Sequence, residues 1–200
     1  MEPKVTLVAK MAETIDVSGP FIGVDRGALT LAKNERKMVA AIGDFDSVDV
    51  NELTEIKNWC ADFVLLPREK DETDSESAIE YALKQFEKVV LYGACNGRAD
   101  HFLANIMLVH RYQGKVELLD DKNRVRFLKE GIHMVPKCKY PYLSFITFEG
   151  CELSIEGVSY PLIHKEIRMG DIFTISNEIV AEEATITIYK GTVICLECMD

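Results

Sequence analysis

Met38-Val39-Ala40-Ala41-Ile42-Gly43-Asp44-Phe45-Asp46-Ser47 joins an unbroken apolar run to a glycine and a pair of acids. A continuous apolar run is the mark of a strand buried on both faces, as in parallel sheets covered by helices. Two carboxylates spaced i, i+2 at the mouth of such a strand are costly to bury unless something cationic uses them. Oxygen-rich clusters suit a hard cation such as Mg²⁺, which keeps several waters and bridges carboxylates to phosphates. The stretch predicts a parallel α/β sheet with a metal–phosphate site at its edge.

The neighbouring segments fit that frame. Val5 to Val8 and Phe21 to Val24 are short β-rich runs, and Asp25-Arg26-Gly27-Ala28 opens a helical segment through Lys33. A helix is expected over Val50 to Asn58 and a strand over Phe63 to Leu66, before Pro67. Thr73-Asp74-Ser75-Glu76 introduces an amphipathic helix with Ala78, Ile79, Ala82, Leu83 and Phe86 at helical spacing, capped by Thr73 or Asp74. Val89 to Tyr92 is the next strand, and it ends in Gly93-Ala94-Cys95-Asn96-Gly97-Arg98. The helix after it carries Leu103, Ile106, Met107 and His110 on one side, and Val116 to Leu119 closes the alternation. Alternating strands and helices imply a parallel sheet with crossover helices.

From about Lys122 the period changes. Val125 to Leu128, Leu143 to Phe148, Cys151 to Ile155, Asp171 to Ser176, Ala184 to Tyr189 and Thr192 to Cys198 read as short strands, with Lys190-Gly191 as a hairpin turn. The expected architecture is α/β plus all-β. An N-terminal three-layer α/β domain with a mostly parallel sheet covers residues 1–121, and a C-terminal antiparallel β-sandwich covers residues 122–200.

Composition narrows the function. The 200 residues are 48% hydrophobic and 28% charged, enough for a real core without staples. A net charge of −10 argues against non-specific binding to nucleic acid or to an anionic membrane, since both need basic surface. No apolar stretch approaches the ~18 residues of a membrane helix, and the run near the start is too short for an export signal. The cysteines at 60, 95, 138, 151, 195 and 198 follow no framework pattern and are read as reduced, so a cytoplasmic protein is expected. Cys195 and Cys198 have no second Cys/His pair at zinc spacing and are read as structural.

Ligands of open α/β sheets bind beyond the carboxyl ends of the strands. On that rule Asp25, Asp44, Asp46, Asp71, Asp74, Arg98, Asp100 and His101 fall on one edge. Any one of these acids alone reads as a helix cap or a solvated loop residue. Their recurrence after successive strands points to a site. The Gly93–Arg98 loop lacks the Lys-Ser/Thr of a P-loop, yet its backbone amides and the following helix N-terminus suit a phosphate. Arg98 adds a guanidinium able to bind phosphate oxygens in bidentate fashion.

Taken together, Gly23-Val24-Asp25-Arg26-Gly27-Ala28, Gly43-Asp44-Phe45-Asp46-Ser47, Lys70-Asp71-Glu72-Thr73-Asp74 and Gly97-Arg98-Ala99-Asp100-His101 resemble the thiamine pyrophosphokinase family. Gly157-Val158-Ser159-Tyr160-Pro161-Leu162 and Ser176-Asn177-Glu178 extend the resemblance into the C-terminal half. It implies that ATP and thiamine give AMP and thiamine diphosphate with Mg²⁺ required. It also implies a homodimer whose active site lies between the α/β domain of one subunit and the sandwich of the other. By the same resemblance Asp44, Asp46 and Asp74 hold Mg²⁺, and Asp71 and Asp100 support the metal or accept the hydroxyl proton. Arg98 contacts the transferred phosphates; Asp25, Gly27, Gly97 and His101 border the nucleotide; Ser176 and Asn177 belong to the thiamine pocket. The chain departs from the family at Lys10-Met11, Arg26 and Asn96, where glycines are usual.

Three alternatives stay open at this level. Asp44-Phe45-Asp46-Ser47-Val48 also fits the nucleophile motif of haloacid-dehalogenase-type phosphatases, with Asp44 phosphorylated and Asp46 as acid. A pyrophosphokinase acting on another alcohol would share the α/β half. A non-catalytic binding module would not need so many acids.

Overall fold

A computed structural model describes residues 2–9 and 15–200 of the chain, so Lys10 and Met11 lie outside the described residues. Two compact units emerge, one comprising residues 1–108 and 115–120 and the other residues 109–114 and 121–200.

In the first unit the elements follow the order β1 (Glu2–Val8), β2 (Phe21–Val24), α1 (Arg26–Lys33), β3 (Met38–Gly43), α2 (Val50–Trp59), β4 (Cys60–Leu65), α3 (Asp74–Ala82), β5 (Phe86–Tyr92), α4 (Ala99–Arg111) and β6 (Val116–Leu119). The strands are all parallel and lie side by side as β6-β5-β1-β2-β3-β4. The chain runs outward from β1 through β2, β3 and β4, then returns to the other side of β1 as β5. Strand order therefore reverses at β1/β5, the place where open α/β sheets bind ligands. α1 and α2 share one core against one face of the sheet, and the right-handed rule for parallel crossovers assigns α3 to the other.

β3 is the expected buried strand: Met38, Ala40, Ala41 and Ile42 are all buried. Met38 and Ala41 pack with Val8, Phe21, Ala28, Leu31, Phe45 and Ile56 in a core between the sheet and α1/α2. Two details differ from the periodicity reading. Phe86 does not extend α3; it opens β5. On α4, Leu103 and Met107 are 57% and 47% exposed, while Ile106, Leu108 and Val109 are buried, so the inward face is rotated from the one expected. Buried Asn105, whose amide donates to the Ala94 carbonyl at 2.9 Å, fixes that rotation.

The second unit is built from β7 (Asn123–Pro136), β8 (Tyr142–Ile146), β9 (Cys151–Glu156), β10 (Leu162–Ile167), β11 (Asn177–Glu178) and β12 (Glu183–Cys198). All pairings are antiparallel. β12 pairs with β7 along its whole length, with β9 along its first half and with β8 along its second. Leu143 and Phe145 from β8 and Leu153 and Ile155 from β9 nevertheless share one core with Val135, Ile186 and Val193.

Lys190-Gly191 is not a hairpin turn. Ile188 pairs with Gly131 and Thr192 with Lys129, so the chain continues past it along the same partner with a register shift. Gly191 at φ 83° forms a bulge, an irregularity that bends a strand without reversing it. A Cβ on Gly191 would stand 2.2 Å from the Gly150 carbonyl oxygen, which is why glycine occupies the bend. Asp171 to Ser176 likewise forms turns rather than a strand. Cys195 and Cys198 sit three positions apart on β12 and thus point to opposite faces, so they form no chelating pair. All six cysteines are free. No helix among the described residues is long and apolar enough to cross a membrane.

Candidate active site

Asp25 precedes α1, where an aspartate ordinarily accepts the helix's first backbone amides. Here it makes no side-chain cap hydrogen bond, and its backbone is held at φ 49°. Asp49, ahead of α2, shows the ordinary case: its carboxylate accepts from Asn51 and Glu52 in a full capping box. Thr73 caps α3 by accepting from the Glu76 amide, so the Asp74 carboxylate takes no part in the cap. Asp25 and Asp74 are thus not the caps that a bland reading makes of them.

Both line a cleft of about 330 Å³ at the carboxyl ends of β1, β2 and β5. Ala9 and Val24 form its apolar floor; Gly93, Ala94, Asn96, Arg98 and His101 form the opposite wall with Asn105. That wall is the loop after β5 and the first turn of α4, so its amides and helix dipole favour an anion. One side of the cleft is acidic and the other receives anions. The pair complements a polyphosphate carrying a cation.

The acidic wall is electrostatically strained. Burial, reinforced by the charges of Asp74 and Asp44, pushes the Asp25 carboxyl up to about 7, against a smaller opposing pull from the Phe45 backbone. Its Oδ1 is buried with no hydrogen-bond partner. A cation would relieve both conditions, so a divalent ion fits this wall. Among the described residues no three Asp, Glu, His or Cys side chains enclose an ion by themselves. That suits Mg²⁺, which takes one or two carboxylates and completes its shell with water and substrate phosphate.

Two neighbours explain the Gly43-Asp44-Phe45-Asp46 stretch. A Cβ on Gly43 would stand 2.0 Å from Asp25 Oδ1, so only glycine lets that carboxylate rest against β3. Gly43→Ala is expected to displace Asp25 and reduce kcat/KM about 10²-fold, with a smaller loss of stability, as separate turnover and thermal-melt measurements will show. Phe45 is 5% exposed and stacked on Phe63 at 4.8 Å, although its φ is 52°. The buried ring over-determines a strained backbone and thereby fixes Asp44. Phe45→Ala is expected to cost about 3 kcal/mol in a urea titration and to disorder Asp44 with it.

The remaining sequence-derived positions fall as follows. Asp44 is half-buried beside Asp25, and its Oδ1 accepts from the Asp46 backbone amide at 3.1 Å. Asp46 and Asp71 are exposed and do not line the cleft. Gly27 is buried in the first turn of α1, and Gly97 is exposed in the loop before α4. Arg98 donates to both oxygens of Asp100, its Nε reaching Oδ1 at 3.0 Å. That guanidinium, with the His101 amide, holds the Asp100 carboxyl down to about 2.

In the second unit Ser176 is exposed at φ 59°, and its amide donates to Ser144 Oγ. Asn177 is buried. Its Oδ1 accepts from the Tyr160 amide at 3.0 Å and its Nδ2 donates to the Tyr160 carbonyl at 2.8 Å. The two C-terminal motifs are therefore clamped to each other.

Sequence reasoning gave no role to Asn105 or Lys70. Asn105 stands one helical turn after His101, a spacing that places both on one face. Lys70 lies four residues before Asp74 in a loop, where no periodicity signals contact; its Nζ reaches Asp74 Oδ1 at 2.7 Å. Arg26, a departure from the resemblance, donates to the Ser47 carbonyl at 2.9 Å and so ties α1 to the loop after β3.

Residues 12–119 match the family description "Thiamin pyrophosphokinase, catalytic domain", and residues 130–193 match "Thiamin pyrophosphokinase, vitamin B1 binding domain". The thiamine pyrophosphokinase of Bacillus subtilis (strain 168) is 35% identical over 189 residues, covering 90% of this chain and 87% of that protein. The crystal structure of thiamine pyrophosphokinase from Bacillus subtilis superposes with a TM-score of 0.88 at 31% identity, over 98% of this chain and 99% of that one. A thiamin pyrophosphokinase family protein from Enterococcus faecalis gives a TM-score of 0.89 at 29% identity, over 98% and 99%. With both of the family's segments matched in order, the chain belongs to the thiamine pyrophosphokinase family.

Proposed function

We propose that the cleft at β1/β5 binds ATP with Mg²⁺ and delivers its pyrophosphoryl group to the hydroxyl of thiamine. The reaction, ATP plus thiamine giving AMP plus thiamine diphosphate, is that of the family to which the chain belongs. What carries the placement is one observation: two uncapped carboxylates, Asp25 and Asp74, face Arg98 and the α4 N-terminus across one cleft.

Residues 1–121 form the catalytic part in this reading, and residues 122–200 the thiamine-binding part, folded as a sandwich around a single core. Asp44, Asp46 and Asp74 would hold the metal, directly or through its waters, with Asp25 beside them. A divalent cation bound there supplies neutralisation of phosphate charge. Arg98 and the amides of the Gly93–Gly97 loop orient the phosphates, and Gly27 and His101 border the nucleotide. Asp100 at about 2 is a weak proton acceptor, so its part is to aim Arg98; proton acceptance from the thiamine hydroxyl falls to Asp71. A strong base is not needed, because phosphoryl-type transfer rests on positioning and charge stabilisation. Ser176, and Asn177 through Tyr160, shape the thiamine pocket.

A homodimer with its active site completed between subunits is part of the same proposal. It is supported by edge strand β10 and by Tyr160, Ile163, Met169 and Ile172, each more than 70% exposed. Six free thiols support a reducing, cytoplasmic setting.

The phosphatase reading is not favoured, since both segments of the chain match the pyrophosphokinase family. Incubation with MgATP and a panel of alcohols, followed by chromatography of nucleotides, tests the proposal. AMP should form only with thiamine and in equal amount to thiamine diphosphate. Phosphate release without an alcohol, or AMP formed equally with any alcohol, overturns it.

A further inference from the structure

Lys70 lies in the loop between β4 and α3, and its side chain is only 11% exposed. An enclosed ammonium is unfavourable unless its donors are used and its charge is matched. Two of its three N–H groups are engaged: one donates to the Pro67 carbonyl at 3.2 Å and one to Asp74 Oδ1 at 2.7 Å. The loop is thereby folded back on itself, and the carboxylate at the start of α3 is pinned from behind. Among the described residues no other cation forms an ion pair with Asp25, Asp44 or Asp74.

We propose that Lys70 is a positioning residue that acts as the resident counter-cation of this acidic wall. It fixes Asp74 while the cleft is empty and, by neutralising one carboxylate in advance, weakens the wall's affinity for a free divalent cation. The cation then enters together with the triphosphate, whose own oxygens supply the missing ligands. The inference rests on the reading of Asp25, Asp44 and Asp74 as the cation-binding wall. Arginine at this position keeps the charge, glutamine keeps a hydrogen-bonding end, and methionine keeps roughly the length with neither.

Isothermal titration of the nucleotide-free full-length protein with Mn²⁺ tests this, with circular dichroism as a check on folding. Wild type and Lys70→Arg should bind Mn²⁺ weakly. Lys70→Met and Lys70→Gln should each bind it at least about tenfold more tightly, a gain of about 1.4 kcal/mol. A purely structural lysine would give the opposite order, since loosening Asp74 weakens every ligand. Equal or weaker Mn²⁺ binding by both uncharged variants overturns the role of Lys70. If instead the gain appears but survives Asp44→Asn in the Lys70→Gln background, the reading of the wall itself is overturned. Should Lys70→Met fail to fold, Lys70→Gln against Lys70→Arg decides the matter.

Discussion

Asp25→Asn is expected to stabilise the ligand-free protein at neutral pH while lowering kcat/KM for ATP by about 10²-fold, the scale of losing one charge-stabilising group in an active site. The two effects share a cause. Asp25 is a carboxylate pressed against Gly43 with an unpartnered oxygen and two acidic neighbours. Such a group destabilises the empty fold and is useful only when a cation arrives. The pH dependence gives the sign. The folded-state value, about 7, lies above the ordinary carboxylate range, so the folded protein binds this proton more tightly than the unfolded chain. The favourable contribution is therefore present in acid and is lost as pH rises towards and through 7. The melting temperature of Asp25→Asn should match wild type near pH 4 and exceed it by a few degrees near pH 8, at about 2–4 °C per kcal/mol for a chain of this size. A variant equally destabilised at both pH values would show that Asp25 serves packing alone.

Arg98→Met should be the more damaging change, with kcat lowered about 10³-fold and the KM for thiamine nearly unchanged. Arg98 faces the acidic wall from the first turn before α4 and already presents its fork to a carboxylate, the geometry that a phosphate would take over. Groups of this kind act on charge that develops during transfer, which is why the loss should appear in turnover. Arg98→Lys should recover only part of it, because a point charge cannot bind two oxygens in one plane. Asp100→Asn removes the group that aims Arg98 and should lower kcat by a smaller factor, about tenfold, with thiamine affinity kept. Steady-state kinetics with ATP and thiamine varied separately distinguish these outcomes, and a parallel loss in thiamine KM would refute them.

The parallel half was legible because its signals are local. The Met38–Ile42 run, the alternation around it and the acids after each strand could be placed without knowing any distant contact. Gathering Asp25, Asp74 and Arg98 needed only the rule that sites lie beyond strand ends. What escaped was set by partners far away in sequence or by backbone shape. Gly191 reads as a turn until Gly131 and Lys129, about sixty residues earlier, are seen opposite Ile188 and Thr192 on either side of it. Leu103 and Met107 have the spacing of a buried stripe, and it is Asn105, tied to the Ala94 carbonyl, that turns them outward. Asp25 carries the residue type of a helix cap, and its exemption from capping is a matter of one φ angle. Lys70 was visible within a motif, but its partner is chosen by the fold of a loop.

β12 also has a consequence for biosynthesis. It is the neighbour shared by β7, β8 and β9, yet it emerges from the ribosome after all of them. The centre of the first unit, β1 against β2 and β5, is complete long before. A nascent chain that has passed β11 but not β12 carries a finished catalytic unit followed by β8 and β9 with no common strand between them and the apolar side chains of Leu143, Phe145, Leu153 and Ile155 uncovered. Pairings of such long sequence separation form slowly, and unpaired strands of this kind attract chaperones and proteases. Messages truncated late should therefore yield little surviving protein, so thiamine is not offered a half-built partner.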